Sequence, residues 1–297
     1  MQYSNKRKHG ILMLIVLLVA LFLCWEAGTA YEASIYNKQI EFPDDTEELG
    51  KNFPYLSISP LDLETEMTDA VDIDLSQIED GYEITEGGQF RLTGDLRGSL
   101  VISASEQNVH LFLDNASIAA KTGPAIYCHG ANKLVITLLP GTKNTISDSG
   151  SYHADAEIEA CVYSDCDLTF NGTGELAVNG YYKDAVRSKD VVKILDGSYT
   201  IKCKRTGIHG TDGIVISDGD FVISSEKYGL KTTKSGAEGR GNVILSGGKF
   251  SIIAGRYAFV LEKANLLIYD CTVFDRSVVK TFDVGGIMNI QEGCVRS

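Results

Sequence analysis

Two stretches of this chain, AVRSKDVVKILDGSYTI (Ala185 to Ile201) and GIHGTDGIVISDGDFVI (Gly207 to Ile223), repeat one pattern 22 residues apart. A short fixed period restricts the fold more than composition does, because one unit of that length cannot bury its own apolar face and must stack on a copy of itself. The small-then-aliphatic pair that opens each stretch recurs as Ala125-Ile126, Cys161-Val162, Ala185-Val186, Gly207-Ile208, Gly229-Leu230 and Ala258-Phe259, at intervals of 36, 24, 22, 22 and 29. The two long intervals hold polar, Gly-rich inserts, SDSGSYHADAE and TTKSGAEGRG. A second landmark keeps step: GSYTI from Gly197, GDFVI from Gly219 and GKFSI from Gly248.

From Val71 onward the chain reads as short alternating apolar runs punctuated by DG, NG and GG, with no helical stripe. Alternation assigns Val186, Val192, Ile194, Tyr199 and Ile201 to the inside of one unit, and Ile208, Ile214, Ile216, Phe221 and Ile223 to the inside of the next. Each unit thus makes three short strands with Gly- or Asp-bearing corners. The fold class expected is all-β, a parallel β-helix that is a single-stranded solenoid, right-handed by the chirality of crossover connections. A β-sandwich also has short strands and turns, but it gives no reason for two landmarks in one register.

The N-terminus carries Lys6, Arg7 and Lys8 ahead of the apolar run Ile11 to Trp25, then EAGTA with small residues at Gly28 and Ala30. This is an export signal. Its 15 apolar residues fall short of the roughly 20 that span a bilayer, which favours cleavage near Ala30 over an uncleaved membrane anchor. Residues 31–70, with Pro43, Pro54, Pro60 and the acidic run EFPDDTEELG, read as a spacer or cap, and residues 71–297 as the β domain. Removing residues 1–30 leaves 24 basic and 39 acidic residues, a net charge of −15. Such a surface disfavours nucleic acid and anionic lipid unless basic residues segregate. Six cysteines in the exported part stand singly in strand-like runs, without CxxC spacing, and read as buried thiols or as one or two links between neighbouring rungs.

If the units stack, residues of equal register form columns about 4.8 Å apart. One outward column reads Arg187, His209, Lys231: either a solvated polar face or a seat for an anionic ligand. Another reads Asp190 and Asp212, with Asp165 and Asp167 flanking Cys166 one rung earlier and Asp184 at the edge of the same unit. Carboxylates that close raise each other's pKa unless a cation neutralises them, and calcium takes such oxygen sets; the alternative is that corner aspartates bond turn amides. A third column reads Asp184, Thr206, Tyr228, Tyr257, whose tyrosines either form a platform for sugar rings or stack structurally. No Ser-His-Asp constellation, phosphate loop or nucleic-acid motif stands out.

The segments YEITEGGQFRLTGDL, VHLFLDNASI, AIYCHGANKLVITLLPGTKNTISD, Ser188 to Asp190, Gly207 to Asp212 and Gly247 to Ile252, in this order, resemble a family of secreted bacterial carbohydrate-binding domains across residues 71 to 275. The resemblance implies a pectate-lyase-like β-helix, bound Ca2+ and affinity for acidic polysaccharide such as polygalacturonate or pectin. Asp184, Asp190 and Asp212 match the family's acidic positions, whereas Thr206, Tyr228 and Thr233 stand where acids are expected.

The function expected is therefore non-catalytic, calcium-assisted binding of acidic polysaccharide outside the cell or at its surface, by a monomer that meets a membrane only through an uncleaved N-terminal segment. Arg187, His209, Lys231, Tyr228 and Tyr257 would contact the polymer, and Asp184, Asp190 and Asp212 the metal. The alternatives are a calcium-dependent lyase that cleaves polyuronate by β-elimination, with Arg187, Lys189 or Arg205 as base, and a surface adhesin or structural solenoid.

Overall fold

The computed structural model describes residues 42–43, 46–152, 158–234 and 239–296. All lie in one compact unit, Phe42–Ser297. The export segment and the first part of the spacer fall outside the described residues.

Each repeat contributes three strands: Asp184–Ser188, Val191–Ile194 and Ser198–Cys203, then Thr206–Gly210, Gly213–Ile216 and Asp220–Ser225, then Tyr228–Thr232, Asn242–Leu245 and Lys249–Ala254. The first strands of the units stack into a nine-stranded sheet, and the second and third series make up a seventeen-stranded one. Among the described residues every strand pairing is parallel. The registers align Val186 with Ile208, Val192 with Ile214 and Tyr199 with Phe221. The landmark aliphatics Ile126, Val162, Val186, Ile208, Leu230 and Phe259 form one continuous column. The architecture is thus all-β and parallel, with the sequence repeat as its rung.

All ten residues assigned inward by alternation are buried. They stack on their register partners, with Tyr199, Phe221 and Phe250 in near-parallel piles at 5.0 and 4.6 Å. The corners need residues tolerant of positive φ. Gly219 sits at φ +124, and a Cβ there would come within 2.8 Å of the Gly197 carbonyl oxygen one rung away. The preceding carboxylate tightens each corner: Asp196 accepts from the Gly197 amide at 2.7 Å and Asp218 from the Gly219 amide at 2.8 Å.

Alternation places Lys193 outward on the middle strand, yet it is 2% exposed. Residues 46–64 cover it. The 3-10 turn Pro54–Leu56 and the short helix Pro60–Leu63 lie across the outer side of the middle-strand series, and the helix Thr46–Asn52 packs on the turn. Tyr55 receives a hydrogen bond from the Asn242 side chain at 2.7 Å, and Leu56 packs so close to Gly213 that a Cβ there would meet it at 2.6 Å. Lys193 donates to the Ser57 carbonyl at 2.8 Å. Asp62, fully buried, accepts from Lys133 at 2.8 Å and from the Thr169 hydroxyl at 2.6 Å, with the Lys193 ammonium 3.3 Å away. Further along, Asn171 donates to the Asp62 and Glu64 carbonyls, both at 2.8 Å. Part of the segment read as a spacer or cap is therefore a strap along the side of the stack. Its apolar contacts and one buried acid hide the polar outer positions of the strands beneath.

Candidate functional site

The outer side of the nine-stranded sheet carries a column that runs Tyr127, Tyr163, Arg187, His209, Lys231, Val260 in unbroken register. At about 4.8 Å per rung the six positions span about 24 Å. Tyr127 stacks on His129 at 4.8 Å and leans on Tyr163 at 5.9 Å. Lys189 lies over Tyr163 at 5.8 Å. Towards the other end, Lys231 lies over Tyr228 at 5.2 Å, and Tyr228 stacks on Tyr257 at 6.3 Å with Arg256 close to both rings. The face is therefore a basic centre flanked by aromatic groups. Of the five residues expected to contact ligand, Arg187, Lys231, Tyr228 and Tyr257 are part-exposed on it, whereas His209 shares the register but is buried beneath it, against the expectation. Tyr163 and Tyr127 belong too and were missed, although the signal was available: they hold the position after Val162 and Ile126 that Arg187 holds after Val186.

Beneath the basic centre lies an ionic network. Asp184, with no exposed surface, accepts from Arg205 Nε at 2.6 Å and Nη2 at 2.8 Å, from the Thr206 amide at 3.1 Å and from His209 Nδ1 at 3.1 Å. Burial alone would raise its pKa, but Arg205 and His209 outweigh burial and hold it at about 2. The His209 pKa is lowered, first by burial and further by the Arg187 and Lys231 charges, against the pull of Asp184. On its other side, His209 Nε2 meets the Thr233 hydroxyl at 3.2 Å. Glu159 gathers Lys183, Arg205 at 2.6 Å and Arg187 at 3.5 Å. Arg187 Nε is buried and has no hydrogen-bond partner. The sequence showed no Ser-His-Asp pattern because Asp184, His209 and Thr233 belong to three rungs; stacking alone aligns them.

The three carboxylates expected to hold calcium are not brought together. Asp184 is at the start of its strand and is consumed by Arg205 and His209, whereas Asp190 and Asp212 lie beyond the strand ends. Asp212 is ion-paired with Arg240 and has Lys234 at 3.6 Å. Asp190 has a raised pKa, chiefly from burial and then from the charges of Asp167 and Asp212, the mark of carboxylates crowded at one corner. Among the described residues no group of three or more His, Cys, Asp or Glu side chains is placed to hold a metal ion. The donor set does not fit calcium, because two of its three carboxylates already neutralise cationic side chains.

Of the lyase bases considered, Arg205 is tied to Asp184 and Glu159, and Lys189 to Asp165 at 2.7 Å. Only Arg187 keeps a nitrogen without a partner.

Comparison with known proteins places this face in context. A family model described as carbohydrate-binding domain-containing protein matches residues 79–274. A protein of that description from Acetivibrio thermocellus is 31% identical over 134 residues, covering 43% of this chain and 47% of the relative, so the match spans about half of the relative's length. A solved structure described as a polysaccharide lyase-like protein from C. thermocellum, in a gadolinium derivative, superposes with a TM-score of 0.71 at 27% identity, over 77% of this chain and 93% of the other. The family match takes in the whole column from Tyr127 to Val260, and the chain belongs to the family of carbohydrate-binding domain-containing proteins.

Proposed function

We propose that this protein binds acidic polysaccharide of the polygalacturonate type along the outward strip of the nine-stranded sheet, outside the cell or at its surface, as a monomer on a right-handed parallel β-helix. One observation carries the reading. Arg187 and Lys231 are part-exposed at the register positions on either side of the buried His209, between aromatic groups on a chain of strong negative charge. A polyuronate offers a carboxylate on each sugar for the cations, and its ring faces suit Tyr127 and the Tyr228–Tyr257 pair. Handedness follows from crossover chirality, and export follows from the charged-then-apolar N-terminus. Calcium has no part in this reading, since Asp184 and Asp212, two of its three expected ligands, are engaged by cationic side chains.

Retention of the full chain on immobilised polygalacturonate tests it. Arg187→Ala with Lys231→Ala should weaken binding at least about tenfold, as expected for two charge-assisted contacts, and added salt should weaken the wild type in the same direction. Equal retention on a neutral glucan, or an unaffected double variant, would refute the proposal. The second reading is β-elimination with Arg187 as base, supported by its looser ion pair, 3.5 Å from Glu159 against 2.6 Å for Arg205 and 2.7 Å for Lys189 with Asp165. Unsaturated oligosaccharides released from polygalacturonate would establish it.

A further inference from the structure

A buried acid, a buried imidazole and a partly exposed hydroxyl lie in line across three rungs. Asp184 Oδ2 is 3.1 Å from His209 Nδ1, and His209 Nε2 is 3.2 Å from Thr233 Oγ1. Asp184 and His209 are 0% and 4% exposed, while Thr233 is part-exposed at the surface. The proton positions follow from the partners. An ionised carboxylate only accepts, so His209 carries its hydrogen on Nδ1 and keeps a lone pair on Nε2. The Thr233 hydroxyl proton then points at that lone pair, which leaves the hydroxyl oxygen free to face a ligand.

Polymer retention explains none of this. A neutral, buried imidazole adds nothing to the grip on a carboxylate, and Asp184 needs only Arg205 for its own neutralisation, which leaves its contact with His209 to be accounted for. An acid that orients a base, and a base within reach of a hydroxyl, is instead the arrangement of nucleophilic catalysis. The surroundings complete it. Arg187 and Lys231 are the register neighbours of His209 on either side, where two cations oppose the charge of a forming oxyanion. Burial and those same cations lower the His209 pKa, so the base is unprotonated at neutral pH.

We propose that Thr233, His209 and Asp184 form a hydrolytic relay that removes small acyl esters, such as O-acetyl groups, from sugar units held on the strip. Thr233 Oγ1 bonds to the ester carbonyl carbon as its proton passes to His209 Nε2. The tetrahedral oxyanion faces Arg187 and Lys231. Collapse breaks the bond to the sugar oxygen, which leaves with the proton from His209. Water then gives a proton to His209 and attacks the acyl-threonine; the carboxylic acid departs and Thr233 regains its hydrogen. Thr233 and His209 are the catalytic residues, and Asp184 is a positioning residue that fixes the His209 tautomer.

The sugar specificity rests on the binding reading above, but the chemistry is tested without a sugar. The purified full chain is assayed for 4-nitrophenol release from 4-nitrophenyl acetate and for acetate release from O-acetylated polygalacturonate. Thr233→Ala should lower turnover at least about 100-fold. Thr233→Ser should keep it, because serine supplies the same hydroxyl. Asp184→Asn should lower kcat with KM unchanged. A wild type no faster than buffer, a Thr233→Ala variant as fast as wild type, or a Thr233→Ser variant as slow as Thr233→Ala would each overturn the relay. Retention of the wild type and of Thr233→Ala on unesterified polygalacturonate, measured in parallel, reads the binding proposal alone. Ester turnover that needs Thr233 in a chain that does not bind the polymer would uphold the relay and sink the binding reading.

Discussion

Replacing Asp184 with alanine removes a carboxylate that accepts four hydrogen bonds with no exposed surface of its own. Breaking one side of a buried ion pair costs about 3–5 kcal/mol, because the partner is left charged and unpaired. Arg205 retains Glu159 at 2.6 Å and its side chain is 24% exposed, so the loss belongs at the lower end, about 3 kcal/mol. An independent figure comes from linkage. The Asp184 pKa falls from its ordinary 3.8 to about 2 on folding, a gap worth about 2 kcal/mol. Its sign is fixed: a group whose pKa is depressed by folding stabilises the protein above its unfolded value and loses that contribution as pH drops through the folded one. Urea denaturation should therefore show Asp184→Ala destabilised by about 3 kcal/mol at pH 7 with an unchanged slope. The difference from wild type should shrink between pH 4 and pH 2. A variant within about 0.5 kcal/mol of wild type, or a difference that does not change with pH, would refute the account of this network.

Chelation with EDTA should leave polygalacturonate retention unchanged, and added calcium should not raise the melting temperature; a chelator-sensitive retention would show that Asp212 exchanges Arg240 for a metal beside Asp190. Asp62→Ala should cost about 3 kcal/mol, because it removes the buried acid that faces Lys193 and Lys133 under the strap and leaves them only their weaker partners; limited proteolysis should then cut within residues 46–64 well before the strands. Reactivity of the Cys203 and Cys161 thiols should be very low at pH 8 in the native state: burial pushes the Cys203 thiol up to about 12 and the Cys161 thiol well above its ordinary value. Rapid labelling of either without denaturant would contradict the packing.

What sequence reading reached, and where it stopped, follows from how contacts are made. Val186 over Ile208 and Tyr199 over Phe221 were legible because alternation sets the face and the 22-residue period sets the partner. Arg187 over His209 over Lys231 was legible for the same reason. Burial of Lys193 was not, because its cover comes from Ser57 and Asp62, more than a hundred residues earlier and outside the repeat. Asp212 looked like a free metal ligand in the column view; the neutralising Arg240 arrives from an insert that has no register. The Asp184, His209, Thr233 alignment combines three different register positions on three rungs, so reading one column at a time could not find it.

The strap has a consequence for how this protein comes apart. In a stack of repeats each rung is stabilised only by the next, so the array can fray or open piecemeal from an end. Asp62 alone holds Lys133, Thr169 and Lys193, which stand on three successive rungs, and Tyr55 and Leu56 reach two more at Asn242 and Gly213. A segment that grips five rungs at once turns nearest-neighbour coupling into coupling across the middle of the stack. Those rungs are then expected to open together, as one cooperative block whose hydrogen-exchange protection falls as a unit when the strap is released.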